Sequence, residues 1–380
     1  MKVQALNRTF MNETYNGAFT AIITPFSKDS KEIDWEGLRS LCEFQRESGI
    51  SGIVSVGTTG ESPTLTWDEH INAFQVTFDA VGSKVTVIAS TGSNSTTECK
   101  EATTRARQMG IKHVLLVDPY YNGPSSLEIR REYLEPIAAA HPEIAVIPYI
   151  IPGRCGTQLL AQDLAIANRH YPNICAVKEA TGDFENMKAI RRLCGDSFRI
   201  LSGDDDKTLQ MMLDAGIGAL GVISVVSNLA PKSVQEMCRY ALEGSVEKAK
   251  SIATALQPLF DIVTVKTNEQ TNYGPVACKA RNPLPIKTLM GILGLPGGHL
   301  RPPIGQMTKQ GLELLINMAR RIHTEHPAVF EPLSDFFDVD VDRRLTETQY
   351  RSGWYYDGYY FVRRRRDGKI RTINHLTSRF

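Results

Sequence analysis

Eight short, continuously apolar runs recur along the first 228 residues, at 19–24, 52–56, 85–89, 113–117, 145–149, 175–178, 199–202 and 219–223. Helix-period segments lie between them, for example at 34–48, 68–81 and 96–109. A strand that is apolar throughout must be buried on both faces, and parallel sheets covered by crossover helices provide that environment. Eight strand–helix units in succession predict an α/β fold that closes on itself as a (β/α)8 TIM barrel, rather than an open doubly wound sheet. Helix-start signals agree with the count: Asp34 precedes one helical run, and Asn94-Ser95-Thr96 offers N-cap groups before Glu98.

The chain has 380 residues, more than the roughly 250 of a barrel. The pattern divides it into an N-terminal extension at 1–16, the barrel at 17–228, a C-terminal helical region at 229–323 and a tail extension at 324–380. After the eighth strand the sequence reads as helices only, at 230–242, 245–265, 284–293 and 308–321. Asn282-Pro283, Pro296-Gly297-Gly298 and Arg301-Pro302-Pro303 punctuate them. The tail carries an acidic stretch at 335–342, and then aromatic runs flanking Asp357-Gly358 and a second Asp-Gly at 367–368. Asp-Gly between β-prone runs predicts a short β-rich appendage of small hairpins. That tail is expected to serve stability or assembly rather than chemistry. The four arginines at 363–366 have the acidic stretch as an intramolecular partner.

A net charge of +1 gives no global field for nucleic acid or membrane. No apolar run approaches the roughly 18 residues of a membrane span. Residues 1–16 lack the apolar core of a signal peptide. The expected setting is cytoplasmic. The seven cysteines form no CxxC pair, and His323 and His326 lack a carboxylate-rich partner motif. No metal and no cofactor are expected.

In such a barrel the chemistry sits at the C-terminal ends of the strands. Strand 2 ends in Gly57-Thr58-Thr59-Gly60-Glu61-Ser62, a glycine-bracketed turn suited to a carboxylate or phosphate. Strand 4 ends in Asp118-Pro119-Tyr120-Tyr121-Asn122, and strand 5 in Tyr149-Ile150-Ile151-Pro152-Gly153-Arg154. Their hydroxyls, with Thr58, offer a proton chain, and Arg154 offers a carboxylate fork. Strand 6 closes in Ala176-Val177-Lys178-Glu179. An ammonium at the mouth of an apolar barrel is costly, so the pKa of Lys178 should fall toward the neutral amine that Schiff-base chemistry needs. The alternative is an ion pair with one of Asp204, Asp205 or Asp206 after strand 7, a triplet better suited to capping the next helix. Glycines at the ends of strands 7 and 8 let backbone carbonyls approach a small ligand.

The ordered set GTTGES, PYYN, YxxPGRxG, VKEATGD, SGDD and GVISVVSN, over about residues 17–321, resembles the dihydrodipicolinate synthase/N-acetylneuraminate lyase family, and its synthase branch most. The resemblance implies a class I, Schiff-base lyase without a cofactor. It would condense pyruvate with L-aspartate 4-semialdehyde in lysine and diaminopimelate biosynthesis, as a homodimer or homotetramer. Lys178 would form the Schiff base. Thr58, Tyr149 and Tyr121 would relay protons, Tyr121 reaching in from the neighbouring subunit. Thr59 would bind the pyruvate carboxylate, Arg154 the semialdehyde carboxylate, and Gly203 and Ile223 would offer backbone carbonyls. Lysine, as feedback inhibitor, would meet Ser62, Trp67, His70, Asn94, Glu98 and Tyr120. Ile150 and Cys155, beside Arg154, stand where the family often has Asn and Thr. Two rivals follow: a sister aldolase acting on a sugar acid or sialic acid, and an inactive barrel with a regulatory role.

Overall fold

Residues along each strand alternate between two separate cores, and that alternation decides which side chains can meet a ligand. The computed structural model describes residues 15–271 and 273–356. Eight parallel strands close a barrel in sequence order: β1 (Gly17–Ala21), β2 (Gly52–Ser55), β3 (Thr86–Ser90), β4 (His113–Val117), β5 (Ala145–Ile150), β6 (Ala176–Glu179), β7 (Arg199–Ser202) and β8 (Gly221–Ser224). β1 pairs with both β2 and β8. A Cβ on Gly221 would lie 1.7 Å from the Gly17 carbonyl oxygen, so closure at this seam requires glycine.

Phe19, Val54, Ile88, Leu115, Ile147, Tyr149, Ala176, Leu201 and Ile223 pack inside the barrel. Val146, Ile150, Val177, Ile200 and Val222, one residue out of phase, pack outward against the helices. Lys178, two residues beyond Ala176, therefore follows the inward phase. Asp34 caps its helix by accepting from the Gly37 N–H at 2.9 Å. Of the Asn94-Ser95-Thr96 group, Ser95 is the cap.

The region after β8 is not made of helices alone. Helices Pro231–Leu242, Val246–Ile262, Leu284–Leu293 and Lys309–Glu325 match the expected ones. Between the second and third, β9 (Thr264–Thr271) and β10 (Gly274–Arg281) form an antiparallel hairpin. Thr264 and Val265 are β-branched, and the polar residues after them alternate with period two, a pattern that suits a ribbon with one wet face. Val265 is buried, whereas Lys266, Asn268 and Gln270 are exposed.

Residues 324–351 are largely helical, with helices Glu331–Phe337 and Val341–Thr346. Phe330, Leu333 and Leu345 are buried in the outer core. The rings of Phe336 and Phe337 lie 5.4 and 5.2 Å from that of Phe44. This stretch is thus packed on the barrel. Among the described residues the tail contributes one short strand, β12 (Tyr355–Tyr356), which pairs in parallel with β11 (Met307–Thr308) of the region before it. The hairpins expected at Asp357-Gly358 and at 367–368, and the arginines at 363–366, lie outside the described residues. Among the described residues no helix is long and apolar enough to cross a membrane.

Candidate active site

Register brings the two central residues together: β5 and β6 pair with Tyr149 opposite Lys178. Both point into the barrel mouth, with the Lys178 Nζ 4.1 Å from the Tyr149 ring centroid. Lys178 is buried, and no carboxylate of the described residues lies within ion-pair distance. Burial pushes its pKa down to about 8, against the opposing pull of Asp204 and Asp205. An amine at that value is roughly one-tenth neutral at pH 7, where an ordinary lysine is almost wholly protonated. Burial also raises the Tyr149 phenol, with Arg154 and Thr58 pulling the other way.

Gly203 closes the far side of the lysine. A Cβ there would lie 2.6 Å from the Ala180 Cβ and 3.2 Å from the Lys178 Cε, so only glycine leaves the nucleophile room. Ile223 is fully buried in the barrel interior. The acidic triplet does not cap a helix. Asp204 makes no side-chain cap bond. Buried Asp205 instead accepts from the Ser224 hydroxyl and from the N–H groups of Val225 (2.9 Å) and Val226 (3.3 Å), tying β7 to the loop after β8.

The turn after β2 is braced from a distance. Val56 and Glu61 both adopt left-handed backbone, at φ 56° and 57°, which is strained for β-branched valine. Fully buried Lys287 donates to the Glu61 carboxylate and, at 2.7 Å, to the Thr24 carbonyl oxygen. The Arg301 N–H donates to the other Glu61 oxygen at 3.0 Å. Within the turn, the Thr59 hydroxyl accepts from Asn282 Nδ2 at 3.0 Å. With that acceptor position filled, the Thr59 hydrogen is free to be donated to a carboxylate.

Arg154 stands in the turn Pro152–Cys155 after β5 and donates to the Asn282 carbonyl oxygen at 2.9 Å. Ile150 packs in the outer core, so that departure from the family pattern faces the helices and not the mouth. The Cys155 thiol is buried and held near pKa 12 by burial, with Asp118 adding to the rise. Tyr121 is not brought to Lys178: it is 91% exposed, on left-handed backbone at φ 80°.

The six residues assigned to lysine share one neighbourhood. The Trp67 and His70 ring centroids lie 4.6 Å apart, with the ring planes tilted by 50°. The His70 Nε2 bonds the Ser62 carbonyl oxygen at 2.9 Å, and its Nδ1 is buried without a partner. Ser93 Oγ links the Glu98 carboxylate (2.7 Å) to Asn94. The charge of Glu98 acts on both His70 and Tyr120.

Sequence reasoning missed Asn282, Arg281 and Lys287. Asn282-Pro283 reads as helix punctuation, and nothing local shows that Asn282 reaches Thr59, 223 residues away.

The profile of the dihydrodipicolinate synthetase family matches residues 14–321. The chain belongs to this family. Its class is that of an aldolase-type lyase. It is 37% identical over 307 residues to the 4-hydroxy-tetrahydrodipicolinate synthase of Methanocaldococcus jannaschii, covering 80% of this chain and 98% of the relative. Its structure is similar to that of the chloride-inhibited dihydrodipicolinate synthase from Acinetobacter baumannii complexed with pyruvate, with TM-score 0.73, 34% identity, and coverage of 81% of this chain and 99% of that one. It matches the synthase from Cyanidioschyzon merolae with lysine bound with the same TM-score and identity, and covers 81% of this chain and 98% of that one.

Proposed function

We propose that this chain is a 4-hydroxy-tetrahydrodipicolinate synthase, which joins pyruvate to L-aspartate 4-semialdehyde through a Schiff base on Lys178. The observation that carries the reading is a buried lysine set against Tyr149, with a lowered pKa and no acidic partner within ion-pair distance among the described residues. The neutral amine adds to the keto carbon of pyruvate, and water leaves as the imine forms. Loss of a methyl proton gives the enamine, whose carbon attacks the aldehyde. Closure of the semialdehyde nitrogen onto the imine carbon then releases Lys178. One water is lost overall, at imine formation, and the hydroxyl made when the enamine attacks the aldehyde stays on the product.

Thr58, Tyr149 and Tyr121 of a second subunit carry the protons. The exposure of Tyr121 supports a role outside its own barrel, and hence a dimer or tetramer. Thr59, freed to donate by Asn282, binds the pyruvate carboxylate, with the Gly203 and Ile223 carbonyls nearby. Arg154 takes the semialdehyde carboxylate. Lysine, as inhibitor, fits the Trp67–His70–Glu98 neighbourhood. Its ammonium would pair with Glu98, and Trp67 would cover its aliphatic stem. Inhibition by millimolar lysine that is lost in Glu98→Ala is the expected result, and inhibition unchanged by that substitution contradicts this part.

The test of the main reading is a coupled assay with pyruvate, aspartate semialdehyde and a downstream reductase. Turnover that needs both substrates is expected. Turnover of a sugar acid with none of the semialdehyde would assign the chain to a sister aldolase.

A further inference from the structure

The hairpin β9–β10 ends at the barrel mouth and brings charge with it. Arg281, the last residue of β10, donates from Nη1 to the Gly153 carbonyl oxygen at 3.4 Å. Arg154 donates from Nη2 to the Asn282 carbonyl oxygen at 2.9 Å. Each arginine thus holds the backbone next to the other, and the two guanidiniums are kept together. Neither has a carboxylate within ion-pair distance among the described residues, although fourteen other arginines and lysines among them do.

The same exposed face continues the pattern. Lys279 lies two residues before Arg281, and Lys266 is its directly opposed cross-strand neighbour. Like charges opposed in a ladder weaken it, so fold stability does not account for this pair. Neither lysine has an acidic partner among the described residues. Lys279 is pulled below the usual lysine range by Arg281 first, with Lys266 and Arg154 adding to the effect. The clasp is also tied to the reacting centre. The residue after Arg281 is Asn282, whose side chain donates to Thr59.

We propose that Arg281 is a second guanidinium in the binding site for the incoming carbonyl substrate, and that it clamps that substrate's own carboxylate together with Arg154. Lys266 and Lys279 draw the anion to the mouth. The inference rests on the reading of the chain as a pyruvate-dependent condensing enzyme. It sharpens that reading to a substrate class, aldehydes that carry a carboxylate. The backbone bond occupies only part of each five-donor guanidinium, which leaves a fork on each for the anion.

The test is steady-state kinetics of the full chain with pyruvate and aspartate semialdehyde. Arg281→Met should raise the semialdehyde KM about tenfold, with kcat within about threefold and the pyruvate KM unchanged. The double variant Lys266→Ala/Lys279→Ala leaves the clasp intact. It should flatten the fall of kcat/KM for the semialdehyde with added salt. Equal rises in both KM values for Arg281→Met would mean a loosened Asn282–Thr59 contact and would overturn the proposal. A wild-type salt response in the double variant would do the same, and decides the matter if Arg281→Met does not fold. Borohydride trapping of pyruvate is run on the wild type alongside. Trapping with no selective change in the variants removes the clamp alone, whereas failure to trap removes the catalytic reading and the clamp with it.

Discussion

Two lysines among the described residues are buried, and they differ in one respect. Lys287 lies under the turn after β2 with the Glu61 carboxylate and the Thr24 carbonyl oxygen as partners. Lys178 lies at the barrel mouth against the Tyr149 ring, with no acidic partner in reach among the described residues. Burial lowers the pKa of both. The value falls to about 8 at Lys287 as at Lys178, but the Lys287 amine is tied by direct bonds to Glu61 and Thr24 and is not free to add to a carbonyl. At Lys178 the opposing carboxylates, Asp204 and Asp205, act only at a distance. Burial alone does not make a lysine nucleophilic; burial without a partner does. The paired lysine braces the turn that carries Thr58 and Thr59, and the unpaired one is the nucleophile of the proposed reaction.

Exchanging the roles should fail in opposite ways. Lys178→Arg should lower turnover by roughly four orders of magnitude, because a guanidinium does not form the imine. The fold should be unharmed by Lys178→Met, since a buried unpaired cation is replaced by an apolar chain of similar length. Lys287→Met leaves the Glu61 charge buried and should cost about 3–5 kcal/mol in urea unfolding. Equal destabilisation by the two methionine variants would break the comparison.

The pH dependence sharpens it. Below about 8, kcat/KM for pyruvate should fall about tenfold per pH unit as Lys178 takes up its proton, and it should level off above that value. Stability has its own sign. Between about 8 and the ordinary 10.5 the unfolded chain holds a proton on Lys178 that the folded chain does not, so stability should rise with pH across that window. The rise attributable to this residue should vanish in Lys178→Met. A pyruvate profile with no limb near 8 would remove the lowered pKa from the account. The smallest expected effect is at Asn282: Asn282→Ala should raise the pyruvate KM about fivefold, with little change in kcat, by leaving the Thr59 hydroxyl unoriented.

Much of this was legible along the chain. Parallel strands buried on both faces leave a strong apolar signal, and all eight fall within a few residues of their expected places. The strand-end rule pointed to Thr58, Tyr149, Lys178 and Gly203, and the structure sets Tyr149, Lys178 and Gly203 side by side at the barrel mouth. The hairpin β9–β10 was not legible, because a two-stranded ribbon exposed on one face buries few apolar side chains and sits beside a strong helical pattern. The clasp between Arg154 and Arg281, and the bond between Asn282 and Thr59, join residues more than a hundred positions apart. Such contacts leave no periodicity to read. The acidic triplet was misjudged for a related reason: the partners of Asp205 lie on the loop after β8, not on its own helix.

The most direct test of the central claim is to reduce the enzyme with borohydride in the presence of pyruvate and to map the adduct by peptide mass spectrometry. The unpaired lysine should carry a reduced pyruvyl group in step with loss of activity, and Lys287 should carry none. Full inactivation with Lys178 unmodified, or equal labelling of both buried lysines, would contradict the account.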